Sequence, residues 1–184
     1  LMLERIQRAA ALLELAERAA DRHTASPPLK VGLMLGELGL RRGDESLLQR
    51  AARLLLRRAR QDPGGVEIGW VLYFDGMRRV QQGNLTDALS HLQTASERFR
   101  STRHLHGELR TRAALVHAFR HRGQYVLAED QCLALLALAR QRRLKRVEAQ
   151  VFCDLAFIHL ETESYPQAKR YAEAVLALLD DRPD

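Results

Sequence analysis

His121-Arg-Gly-Gln-Tyr-Val-Leu-Ala128 decides the fold, because its pattern returns at a fixed interval along the 184-residue chain. Gly123 has counterparts at Gly83 and Gly43, spaced 40 residues apart at each step. One step further the register lands on Glu163, inside Glu161-Thr-Glu-Ser-Tyr-Pro-Gln-Ala168. There the glycine is lost, while Tyr165 and Ala168 keep their places. Self-similarity at such a period marks stacked helix pairs, each too small to bury its apolar stripe alone.

Working outward from each glycine, the flanks read as helices. A helix over 29–42 ends at Gly43, where a positive φ costs little only for glycine. Asp44 suits the N-cap of the next helix, whose apolar positions Leu47, Leu48, Ala51, Leu54 and Leu55 carry it to about residue 60. Asp62-Pro63-Gly64-Gly65 is a turn. The same alternation gives helix pairs over 29–60, 66–100, 104–141 and 144–180. Asn84 shares the register of Asp44, and Ser164 with Gln167 spells a capping box with Pro166 near the first helical position. Residues 1–22 read as the second helix of a partial repeat, since Gln7-Arg8-Ala9-Ala10 recurs as Gln49-Arg50-Ala51-Ala52. Ser26-Pro27-Pro28 then breaks the helix. The expectation is one all-α domain over 1–184.

Composition agrees with helices packed through small and medium side chains: 46% of residues are hydrophobic but only 5% aromatic. The formal charge of +6 is carried almost wholly by arginine, with only Lys30, Lys145 and Lys169 as lysines. Such a bias fits a high-GC, bacterial genome, and it weakens the usual inference from basic charge to phosphate contacts. Cys132 and Cys153 lie in apolar helical runs and form no spaced framework, so two thiols in a reducing, cytoplasmic setting are expected. No run approaches a membrane span and no signal peptide opens the chain. The start at Leu1-Met2-Leu3-Glu4 enters a helical pattern directly, as an excised fragment would.

Aligned at 40 residues, four units share a signature. Seven residues before each turn stand Gly36, Gly76, Val116 and Ala156, small side chains that let paired helices approach, and Leu35, Leu115 and Leu155 precede three of them. Two residues after the turn column come Glu45, Leu85, Tyr125 and Tyr165; five after it come Leu48, Ala88, Ala128 and Ala168. This pattern resembles the tetratricopeptide repeat. It departs from the family at Asp75, which takes a leucine column, at Glu163 in place of a turn glycine, and at Glu45 in place of a turn aromatic. The period exceeds the usual ~34 residues, implying longer helices. The arrays of large bacterial transcriptional regulators and signalling proteins, and kinesin-light-chain-like repeats, are similar.

The resemblance implies a right-handed α-α solenoid in which the first helix of each pair lines a concave groove. Carried over position by position, the groove holds Leu33 and Glu37, then Trp70, Tyr73 and Met77, then Arg110, Ala113, His117, Arg120 and His121, then Gln150, Cys153, Asp154 and Phe157. Trp70 and Tyr73 read equally as a ligand anchor or as core between repeats.

Catalytic patterns are not found. His117 and His121 share a helix face, but no glutamate follows the first histidine and Arg120 and Arg122 oppose a cation, so no metal or cofactor is expected. There is no Gly-x-Ser-x-Gly elbow and no phosphate loop, and no enzyme is expected. The clusters Arg57-Arg58, Arg78-Arg79 and Arg142-Arg143-Leu144-Lys145-Arg146 read as solvated charge, and direct nucleic-acid binding is not expected. Asp75 needs Arg79 or a neighbouring helix to satisfy it, and His104-Leu105-His106 reads as surface. The expected function is a scaffold that binds a protein or peptide with an apolar anchor and a carboxylate. The alternative is the sensory segment of a larger bacterial transcriptional regulator. The last helix shows no polar cap, so apolar surface is expected at an end and self-association stays open.

Overall fold

The computed structural model describes residues 29–180, the side chain of Leu179 excepted. Among these residues the chain forms eight α-helices and no strand: α1 Leu29–Arg42, α2 Glu45–Ala59, α3 Glu67–Gln81, α4 Leu85–Ser101, α5 Leu105–His121, α6 Tyr125–Gln141, α7 Lys145–Glu161 and α8 Tyr165–Asp180. The helix expected over 1–22 lies outside the described residues. The helices group into two compact units, Leu1–Glu108 and Leu109–Asp184, with the boundary inside α5.

One connector design recurs. Gly43, Gly83 and Gly123 take φ values of 63°, 77° and 72°. Glu163 takes 57° at the same column without being glycine. A second column, Arg103 and Arg143, adopts 53° and 55° in the turns between pairs. At all six turns the amide after the positive-φ residue donates to a carbonyl five residues back, as in Asp44 N to Gly39 O at 2.9 Å and Ser164 N to His159 O at 2.8 Å. These are Schellman closures, which satisfy carbonyls left over at the helix end. The connector between Ala59 and Glu67 differs, because Pro63 occupies the column of Arg103 and its ring forbids a positive φ. That turn closes through Gly65 N to Asp62 O at 3.0 Å instead.

Helix starts follow the local chemistry. Asp44 accepts from Ser46 N at 3.0 Å and Leu47 N at 3.2 Å, and Asn84 accepts from Asp87 N at 3.4 Å. The capping box at Ser164 does not form; its Oγ donates to the Thr162 carbonyl at 3.5 Å. His104, expected at the surface, is half-buried and caps α5, its Nδ1 accepting from Gly107 N at 3.0 Å. Burial lowers its pKa, with Glu67 opposing.

In the first unit, Val31 and Leu35 of α1 pack with Leu47, Ala51 and Leu54 of α2. A methyl group at Gly36 would overlap the Phe74 ring, so this small residue admits the first helix of the next pair rather than its own partner. At Gly76 the neighbour is Leu92 of the paired helix, as the sequence suggested. Phe99 is fully buried, and β-carbons added at Gly69 or Gly107 would collide with its ring. In the second unit Leu115, Val116, Leu135, Val151, Leu155 and Ile158 are buried. Each such side chain contributes about 1.5–3 kcal/mol relative to exposure.

Candidate functional site

In the first unit two of the five expected groove residues are core, while Leu33, Glu37 and Met77 are half-buried. Trp70 is 1% exposed and Tyr73 4%, so neither can anchor a ligand. The Trp70 ring lies 5.0 Å from Phe99, 5.5 Å from Tyr73 and 5.7 Å from His104. Its column elsewhere carries Lys30, Arg110 and Gln150, polar residues at the rim of the helix face. Tryptophan is drawn inward there because the surrounding aromatic rings supply a place to bury it. Of the three expected on α3, only Met77, half-buried, remains partly open.

Asp75 is compensated as required. Arg79 Nε donates to it at 2.7 Å, Arg78 donates at 2.5 and 3.1 Å, and His91 Nδ1 of α4 stands 2.6 Å away. Burial alone would raise this carboxyl, but the hydrogen bonds from Arg79 and Arg78 outweigh it and hold it below its ordinary value. Arg79 also meets Asp87 at 2.6 Å, and Arg58 meets Glu67 at 2.6 Å. Two of the three basic clusters are thus partly neutralised, while Arg142, Arg143 and Arg146 are exposed at the turn between α6 and α7.

In the second unit some of the expected residues, Arg120, His117, Gln150, Asp154 and Phe157, come together on the first helices of two pairs. Arg120 of α5 donates to Glu161 of α7 through Nε at 3.2 Å and a terminal nitrogen at 3.0 Å. Its guanidinium also lies 5.5 Å from the ring centre of Phe157, which is 54% exposed. His121 and Gln150 are exposed; Arg110 and His117 are half-buried.

Asp154 sits beneath them at 2% exposure. Oδ1 accepts weakly from Gln150 Nε2 at 3.5 Å, and Oδ2 has no partner. Burial raises the Asp154 carboxyl above its ordinary range; the fields of His117 and Arg120 and the Gln150 contact oppose this without cancelling it. The column of Asp154 holds Phe74 and Ala114 in earlier repeats, so a carboxyl here replaces an apolar contact. Cys132 lies close by at 0% exposure, its thiol pushed up to about 12, chiefly by burial.

Glu161 was missed from sequence, although its column offers a signal. The equivalent residue Gln81 donates to the Leu40 carbonyl at 2.9 Å, and Leu40 is the equivalent of Arg120. Also missed was the pairing of Leu160, Tyr165 and Lys169 around a groove between α7 and α8.

Among the described residues no three His, Cys, Asp or Glu side chains converge as metal ligands would, and no helix is long and apolar enough to cross a membrane. Helix pairs joined by one recurring turn place this chain among the tetratricopeptide-like helical repeat folds. The solved structures it is similar to include a Podospora anserina protein assigned as a kinesin light chain with nearly identical TPR-like repeats. That match has a TM-score of 0.65 and 17% identity, covering 99% of this chain and 92% of the other. MamA of AMB-1 matches with a TM-score of 0.56 and 20% identity over 97% of this chain and 87% of the other. Both likenesses are to the all-α, TPR-like solenoid fold. No family model and no curated protein matches the chain.

Proposed function

We propose that the chain is a protein-interaction scaffold that holds a protein or peptide on the α5–α7 face of its second unit. The observation that supports this most directly is Phe157, an aromatic side chain left 54% exposed beneath a guanidinium pinned by Glu161. An aromatic ring fixed among charged neighbours is the usual form of an interface anchor. Arg110, His117, His121 and Gln150 supply polar contacts around it. Arg120 is already bonded to Glu161, so a ligand carboxylate would have to displace an internal one. We therefore place the apolar anchor first and the carboxylate second in importance. Trp70 and Tyr73 take no part.

The test is capture from nuclease-treated source lysate at near-physiological salt, comparing wild-type bait with an Arg120→Gln/Gln150→Ala variant. A protein retained by the wild type and lost by the variant is the expected result. An identical captured set would overturn the assignment. A sensory segment of a transcription regulator would use the same face for an effector, and would show as a bound small molecule rather than a captured protein.

A further inference from the structure

The second unit carries another open surface, which shares Phe157 with the α5–α7 face but is otherwise built from different residues. Between α7 and α8 runs a groove of about 490 Å³, lined by Cys153, Phe157, Leu160, Tyr165, Ala172 and Val175, with Lys169 at its edge. Phe157, Leu160 and Tyr165 are 54%, 52% and 60% exposed. Clustered apolar exposure of this kind marks a contact surface.

The 40-residue register tells what such a lining receives. The columns of Leu160, Ala168, Ala172 and Val175 are occupied in the first unit by Leu40, Leu48, Ala52 and Leu55. There Leu40 and Leu48 are each 8% exposed and Leu55 1%. Helix α3 packs against both α1 and α2, setting Val71, Phe74, Asp75 and Arg78 opposite Leu48, Gln49 and Ala52. The columns are therefore built to take an α-helix with apolar residues at helical spacing.

Two substitutions select which helix. Gln49, which shares a recess with Asp75, is replaced in register by Lys169. The Lys169 side chain is 78% exposed and has only a loose partner, Glu173 at 3.8 Å. Glu45, which meets Arg78 at 3.7 Å, is replaced by Tyr165, so a cation at the position of Arg78 loses its counter-charge.

We infer that the α7–α8 groove docks an amphipathic α-helix of a partner protein, apolar at i, i+3 and i+7 and acidic at i+4 opposite Lys169. The helix lies on α7 and α8 as α3 lies on α1 and α2. Apolar burial holds it in place, and the acidic residue sets its register against Lys169.

The test uses the full chain and a fluorescein-labelled peptide with the sequence of residues 67–82 carrying Arg78→Leu, which has this pattern. Anisotropy should show saturable binding, and the peptide should slow alkylation of Cys153 in the groove at least ~5-fold, in proportion to occupancy. Lys169→Glu should weaken binding about 3- to 10-fold, as loss and reversal of a rim ion pair does. A peptide carrying Asp75→Lys should recover affinity on that variant. Leu160→Gln with Tyr165→Gln should abolish binding, and both side chains are exposed enough to change without loss of fold. Absence of binding, or binding indifferent to Lys169→Glu, overturns the inference. So does a wild-type chain that sediments as a dimer which the Leu160→Gln/Tyr165→Gln variant dissolves, since the occupant is then a second copy. None of these substitutions touches Arg120 or Gln150, and Phe157, which borders both surfaces, is left unchanged, so the loss of peptide binding here and the loss of captured protein at the α5–α7 face are read on different variants.

Discussion

Arg120 and Glu161, forty-one residues apart, occupy the same two columns as Leu40 and Gln81, and both couples are bonded. In each unit a side chain ties the end of one first helix to the end of the next. The first unit uses an amide on a carbonyl, the second a forked ion pair, so the position of the bond is kept while its chemistry changes.

The ion pair makes the second unit sensitive to acid. Arg120 hydrogen bonding holds the Glu161 carboxyl below its ordinary value. Its contribution is therefore present above the unfolded carboxylate pKa and lost as pH falls through the lower folded value. Glu161 is 39% exposed, so Glu161→Gln should cost only about 0.5–1 kcal/mol at pH 7. Urea unfolding of wild type and variant should converge as acidification passes below the ordinary carboxylate range.

Asp154 has the opposite sign. Its folded pKa is raised, so the native chain keeps the proton at pH values where the unfolded chain has released it. Stability is lost as pH rises from the unfolded value through the folded one. Asp154→Asn should stabilise by about 1–3 kcal/mol at pH 8 and by little at pH 4. Equal stabilities at pH 8 would show that the carboxyl is satisfied.

The positive-φ residues that are not glycine offer a third check. Arg103, Arg143 and Glu163 are exposed, and each holds a conformation that costs an L-residue about 1 kcal/mol. Single substitutions to glycine should each raise the unfolding free energy by up to that amount, nearly additively. Gly83→Ala should lower it comparably.

The two thiols should behave differently. Cys132 is fully buried with its thiol pushed up to about 12, whereas Cys153 is partly exposed in the α7–α8 groove. Alkylation of the native chain at pH 8 should modify Cys153 readily and Cys132 only on unfolding, as peptide mass mapping would show.

The helices were legible because Gly43, Gly83 and Gly123 advertise their turns, and helix ends follow from them. Arg103 and Arg143 make the same turn unannounced, since arginine carries no sign of the strain it tolerates. The groove face was harder. Periodicity gives a stripe of buried positions but not the depth of each residue at its margin. Trp70 stands where other repeats place Lys30, Arg110 and Gln150, and only the packed rings of Phe74, Phe99 and His104 decide that it turns inward. Asp75 could be paired from sequence because Arg79 lies one turn away on its own helix. The partners of Asp154 belong partly to another helix, and its unmatched oxygen shows only in three dimensions.

Among the described residues six connectors close by the same backbone bond, and this makes array length a tolerant variable. A gene that duplicated or dropped a stretch cut at equivalent turns would give the chain a junction that it already knows how to form. The stretch between Ala59 and Glu67 is the exception. Pro63 bars that geometry, so a block cut there would join to nothing else in the chain.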